Sequence, residues 1–196
     1  LAEALKAPYY AGRTKRERDR TWLAAMIDGE GSICGFDHIR KDDGSPRTGL
    51  NVTITNSSLP LLDEASRIWP ASRHYHNDHG VGHLGGLKTF RWIATGIADQ
   101  TLLMREMYPY LIAKRGQALL AYNLLALMAV AKKLGRSPQM AETRQKRSLL
   151  VRLMSRANHG ESVDIPSWCV EPPSVLEPGW YLRSNIRWCK RAPMPE

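Results

Sequence analysis

The chain is poor in cysteine. Its three, Cys34, Cys169 and Cys189, lie far apart and are odd in number. They supply neither a disulfide framework nor the close pairs of a zinc site, and the expected compartment is a reducing cytosol. Long hydrophobic runs are missing too. The most apolar stretch, Leu119 to Ala131, is interrupted by Tyr122 and Asn123 and is too short to span a bilayer. The first residues hold no hydrophobic leader segment before the charged stretch Arg13–Arg20, so no secretory signal is expected. No segment recurs as a second copy. Acidic residues are in deficit, nineteen against twenty-eight Lys and Arg. The resulting positive field draws polyanions, with nucleic acid the first expectation and an anionic membrane the second.

What is present suits one compact body with an appendage in 196 residues. Apolar residues at 43% exclude a disordered chain, and six Trp would be costly to leave in water. Residues 1–12 read as an arm or linker, and Arg13–Arg20 as the exposed start of a helix. The helix continues into Trp22-Leu23-Ala24-Ala25-Met26-Ile27, apolar on every side and so in need of cover on more than one face, and Gly29 and Gly31 are expected to end it. Ser32–Arg40 reads as a strand, followed by a turn at Lys41–Pro46. In the next strand Leu50, Val52 and Ile54 alternate with Asn51, Thr53 and Thr55, which predicts one buried and one polar face. A helix is expected over 58–69, capped by Ser57 or Ser58. A second strand pair follows at about Arg73–Asn77 and Lys88–Thr95, then helices at Ile97–Met107, Lys114–Lys133 and Met140–Asn158. The segment from Ile165 holds six of the twelve Pro and shows no helical stripe, so it reads as a separate tail.

Asp28 and Glu30 fall at the C-terminal end of the first helix, where the macrodipole disfavours negative charge. A bound divalent cation would offset that cost, and hard oxygen ligands suit magnesium bridged to phosphate. The plainer alternative is that Asp28 caps a turn and Glu30 is solvated. The small Ala24 and Ala25 would let a second helix approach closely. His74, His76, His79 and His83 cluster in a Gly-rich hairpin. They read as loop histidines near a nucleic acid rather than as a zinc site, because no Cys or acid pattern completes one.

The stretch Leu23–Ser32, LAAMIDGEGS, resembles the LAGLIDADG motif, with Ala25, Met26, Gly29 and Glu30 as mild replacements. TNSS at Thr55–Ser58, TFRWIATG at Thr89–Gly96 and YPYLIAKRGQALLAY at Tyr108–Tyr122 follow in that family's order, so the resemblance covers about residues 20–130. It implies an α+β fold of αββαββα order, with antiparallel sheets forming a DNA-binding saddle and helices behind. It divides the chain into an arm (1–19), an endonuclease core (20–134), a helical extension (135–164) and the tail (165–196). It also implies a magnesium-dependent homing endonuclease that makes double-strand breaks in a long pseudo-palindromic DNA site. Glu30 would hold the metal with Gly29 beside it, Asn56 would orient water or metal, and Lys114 would stabilise charge at the scissile phosphate. A single motif per chain implies a homodimer, joined through Trp22, Ala24, Ala25, Ile27 and Asp28. Base contacts are expected from the sheet's polar face at His38, Arg40, Arg47, Asn51, Thr53, Arg73, Tyr75 and Arg91. The alternatives are a DNA-binding regulator that has lost cleavage and an RNA maturase acting on an intron. The final residues, GWYLRSNIRWCKRAPMPE at 179–196, resemble a stretch of phage and bacterial DNA methyltransferases. Those enzymes' glycine-rich cofactor loop and catalytic tetrapeptide are absent, so the expectation is a gene insertion or fusion rather than methylation.

Overall fold

The computed structural model describes residues 14–42, 44–70, 72–77, 89–134 and 139–173; for 72–77 and 132–134 it describes the backbone alone. The arm up to residue 13, His79, His83 and the methyltransferase-like stretch lie outside the described residues, as do the side chains of His74 and His76.

Helix α1 spans Lys15–Glu30 and begins at a reciprocal cap. The Thr14 hydroxyl accepts the Glu17 N–H (3.2 Å) while the Glu17 carboxylate accepts the Thr14 N–H (2.8 Å), satisfying two donors that no helical carbonyl can reach. Leu23, Ala24 and Ile27 are fully buried on its inner face. Gly29 does not end the helix, which runs through it to Glu30 and stops at Gly31. A Cβ on Gly31 would lie 2.6 Å from the Ile27 carbonyl oxygen, which is why only glycine fits where helix turns into strand.

Strands β1 (Gly31–Ile39) and β2 (Pro46–Asn56) form an antiparallel hairpin, and α2 (Leu59–Ile68) leads to β3 (Ser72–Asn77) and β4 (Thr89–Ala94). Then come α3 (Ile97–Met107), a 3-10 turn at Tyr108–Tyr110, α4 (Arg115–Leu134) and α5 (Gln139–Asn158). Through α3 this is the expected αββαββα order. The expectation of two sheets is corrected. β2 pairs with β4, so the two hairpins merge into one antiparallel sheet of order β1-β2-β4-β3.

One face of this sheet is covered. Leu50, Val52, Ile54, Trp92 and Ala94 join Leu23, Ile27, Leu62, Leu103, Met104, Leu120 and Leu124 in a single core. Each large side chain buried there contributes about 1.5–3 kcal/mol from water exclusion. Helix α5 runs back along edge strand β1. Ser148 donates to the Asp37 carboxylate (2.9 Å), and ten residues later Asn158 donates to the Ile33 carbonyl (3.0 Å). The expected separate tail is likewise corrected over its first residues. Trp168 and Cys169 pack against the core and Pro172 is buried.

Candidate active site and nucleic-acid interface

The end of α1 leaves carbonyls that no helical N–H can satisfy. Gly31 N–H takes that of Ile27, and the Lys114 ammonium donates to that of Asp28. The Asp28 carboxylate in turn accepts the backbone N–H of Ile112 (2.7 Å) and of Lys114 (2.8 Å), just ahead of α4. The two helices therefore cap each other. An acid unfavourable at the C-terminus of α1 is favourable at the N-terminus of α4, and a lysine supplies the cation that the last turn of α1 lacks. This resolves the electrostatic cost of Asp28 without any metal. The Asp28 carboxylate is thereby committed to the chain's own loop, while the residue stays half-buried.

Glu30 is the exception. It is exposed, and no ion pair engages it among the described residues. Gly29 beside it is also exposed, with open space where a side chain would stand. Gly31 pairs with Ile54, so Glu30 sits beside the end of β2, where Asn56 lies. Lys114 thus reaches the end of α1 through Asp28, and the β1–β2 register brings the end of β2, which carries Asn56, towards the same end. Asn56 is partly committed, since its side-chain oxygen accepts the Ser58 N–H (2.8 Å) ahead of α2. Its amide NH2 remains to act as a donor.

Of the other residues expected at an interface between chains, Ala24 and Ile27 are fully buried within this one. That corrects their placement: the chain's own core already covers them. Ala25 is exposed and Trp22 half-buried. With Gly29 they fall at helical spacing on the outer side of α1.

The sheet face that the described residues leave uncovered carries most of the expected contact residues. His38 stands opposite Arg47 and Asn51 opposite Cys34, while Thr53 lies between Ser32 and Ile93. His38, Arg47 and Asn51 are exposed; Thr53 and Arg91 are half-buried. Arg91 lies opposite Thr55 on one side and Tyr75 on the other, and Arg73 stands opposite Ile93. The Arg91 Nε is shielded and has no hydrogen-bond partner among the described residues. Arg40 departs from the group: it falls after β1 in the hairpin turn and pairs with Asp42. The same register adds Ser32, Cys34 and Phe36, which share the parity of His38 but were not among the expected contact residues. The Phe36 ring lies 5.6 Å from that of His38 and crosses Gly49, where a Cβ would meet it at 2.4 Å. Parity counted outward from the turn was the signal that could have found them.

The donors at the end of α1 are all oxygen: one carboxylate and backbone carbonyls. No group of three or more His, Cys, Asp or Glu side chains gathers among the described residues. That set is too small for a calcium or zinc cage. It fits magnesium, which keeps several waters and takes one or two carboxylates plus phosphate oxygens.

Comparison with solved structures places the fold. The homing endonuclease I-CvuI, solved with the I-CreI target in the presence of magnesium and with the DNA not cleaved, superposes with a TM-score of 0.62 at 17% identity, covering 76% of this chain and 88% of that one. The fold is that of the LAGLIDADG homing endonucleases. The group I intron-encoded I-CeuI, complexed with DNA, matches at TM-score 0.57 and 17% identity over 74% of this chain and 69% of that one. The archaeal intron-encoded I-Vdi141I, also with DNA, matches at TM-score 0.51 and 12% identity over 74% and 100%. No family model and no curated protein matches the sequence. The LAGLIDADG likeness is therefore one of fold, and the activity must be argued from the residues. No described helix is long and apolar enough to cross a membrane.

Proposed function

We propose that this chain is a divalent-metal-dependent DNA endonuclease that cuts both strands of a long, pseudo-palindromic site as a pair of identical chains. The observation that carries the proposal is the end of α1. Asp28 and Lys114 satisfy each other's helices there, while Glu30 stays open at the margin of a polar sheet face. An unpaired carboxylate at a helix C-terminus costs stability and contributes nothing to packing; a cation and a phosphate would give it a use.

Each residue then has a task. The sheet's open face lies in the major groove, with His38, Arg47, Asn51, Thr53 and Arg91 reading base edges or phosphates. Glu30 and the Gly29 carbonyl hold magnesium, which when bound stabilises charge building up on the phosphodiester. Lys114 adds a fixed positive charge beside the same phosphate. The Asn56 NH2 orients solvent there. One such end per chain cuts one strand, so two chains meet across the outer side of α1 at Trp22, Ala25 and Gly29. Their two-fold axis imposes the symmetry of the target.

The test is a randomised DNA library incubated with the protein, with and without magnesium. Site-specific double-strand breaks that need the metal and vanish in Glu30→Gln support the reading. Tight binding without nicking would make the chain a DNA-binding regulator, and binding of intron RNA that promotes splicing would make it a maturase. Either outcome replaces the proposal.

A further inference from the structure

The apolar helix α4 contains a buried amide, Asn123, only 5% exposed. Its NH2 donates to Leu119 of its own helix and to the Val170 carbonyl, both at 2.9 Å, and its oxygen accepts the Val170 N–H at 3.0 Å. The two bonds to Val170 are those a neighbouring strand would offer an extended chain. Next to Val170, Glu171 accepts the hydroxyl of Tyr108 at 2.9 Å. Tyr108 is itself buried, and the Arg115 guanidinium lies 4.7 Å over its ring. At the other end of this strap the Lys146 ammonium lies 5.5 Å over the ring of Trp168. Residues 168–172 are thus fastened at several points to α4, α5 and the turn before α4.

That turn is the one that presents Lys114. Tyr108 opens it, Arg115 follows Lys114 directly, and the amides between them are held by Asp28. The segment 108–115 is therefore gripped from two sides, by α1 through Asp28 and by the strap through Tyr108 and Arg115. We infer that the strap Trp168–Pro172 is a positioning element for Lys114, with Tyr108, Asn123 and Glu171 as its positioning residues. The inference rests on the endonuclease reading of Lys114. A charge-stabilising group works only when aligned, and a displacement of about 1 Å can cost up to about a hundredfold in rate.

The experiment uses the full chain with Tyr108→Phe, Glu171→Ala, Glu171→Gln and Asn123→Leu. Three quantities are read: single-turnover cleavage with magnesium, DNA affinity, and the rate at which iodoacetamide labels Cys169. Cys169 lies within the strap, and burial raises its thiol pKa, so release of the strap accelerates its labelling. Tyr108→Phe and Glu171→Ala each lose one hydrogen bond and are expected to cleave about three- to tenfold more slowly, with DNA affinity unchanged. Glu171→Gln keeps an acceptor for the tyrosine hydroxyl and retains most of the rate. Asn123→Leu labels faster at Cys169 and shows the largest loss of cleavage. Faster labelling with cleavage at the wild-type rate would overturn the inference, as would a loss of DNA affinity equal to the loss of rate. If the unaltered protein cleaves no DNA, the endonuclease reading fails. The strap's grip is then read by amide hydrogen exchange over 112–118, where faster exchange in Tyr108→Phe upholds it and unchanged exchange refutes it.

Discussion

The two ends of α1 follow opposite rules. At the N-terminal end charge is answered by charge. Glu17 closes the cap with Thr14, Arg16 and Arg20 converge on Glu106 at 3.1 and 2.6 Å, and Asp19 meets Arg67, which also holds Glu64 at 2.7 Å. These contacts tie α1 to α2 and α3. At the C-terminal end two acids stand two residues apart where the helix dipole opposes both. Asp28 is compensated through α4, and Glu30 has no ion-pair partner among the described residues. Evolution removes costs that no function requires only when they matter for survival, but a paired end and an unpaired end on one helix make the contrast internal. The paired end serves the fold, and the unpaired end is where binding chemistry can be placed.

The sharpest way to break this comparison is Glu30→Gln. Cleavage is expected to fall at least about a hundredfold, because the one carboxylate open to a cation at this end among the described residues is gone. Thermal stability should hold or rise by a few tenths of a kcal/mol, since a charge opposed by the helix dipole is removed. Loss of stability together with loss of activity would mean that Glu30 serves the fold after all. Calorimetry beside a cleavage assay decides it.

Asp28→Asn, two residues away, should behave differently. Its two oxygens accept two backbone N–H groups, and an amide offers one acceptor and turns an NH2 towards the other donor. The expected cost is about 1–3 kcal/mol, read as a lower unfolding midpoint, with slower cleavage as the 112–114 segment loosens around Lys114. An Asp28→Asn protein as stable as wild type would remove the mutual capping of α1 and α4 from the account.

The same contrast shows why some features could be read from the chain and others not. Local signals worked. Helix α3 starts after Gly96 and stops before Pro109 as expected, and β2 alternates cleanly because one face is buried. The orientation of α1 was hidden, since a stretch apolar on every side does not say that Ala24 and Ile27 face inward while Ala25 faces out. The expectation that Glu30, Asn56 and Lys114 act together came from the LAGLIDADG resemblance, not from local pattern. The strap was invisible for a physical reason: its ties join residues 47 and 63 positions apart. Asn123, an interruption in an apolar run when seen in sequence, is the anchor of a distant segment. Merging two hairpins into one sheet likewise depends on β2–β4 pairing, which no turn signal encodes.

At the paired end effects should be smaller and confined to stability. Thr14→Ala removes the side-chain half of the cap and is expected to cost about 1 kcal/mol, with cleavage per folded molecule unchanged. Activity lost beyond the folded fraction, measured by comparing chemical denaturation with cleavage, would show that the two ends of α1 are coupled.

The smallest effect expected is at Glu64, where pH provides the handle. The hydrogen bond from Arg67, aided by its charge, holds the Glu64 carboxyl below its ordinary range, against the opposing pull of burial. The folded state therefore binds this proton less readily than the unfolded chain. The stabilisation is complete above the ordinary carboxylate pKa, about 4.3, and fades as pH falls through the lowered folded value. The pair is exposed, with 45% and 42% of the two side chains' surface open to solvent, so screening keeps its worth below about 1 kcal/mol. Glu64→Gln should lower the unfolding midpoint slightly at pH 7 and by progressively less below about pH 4, where wild type has lost the same contribution. A difference that persists or grows in acid would place the effect in packing rather than charge.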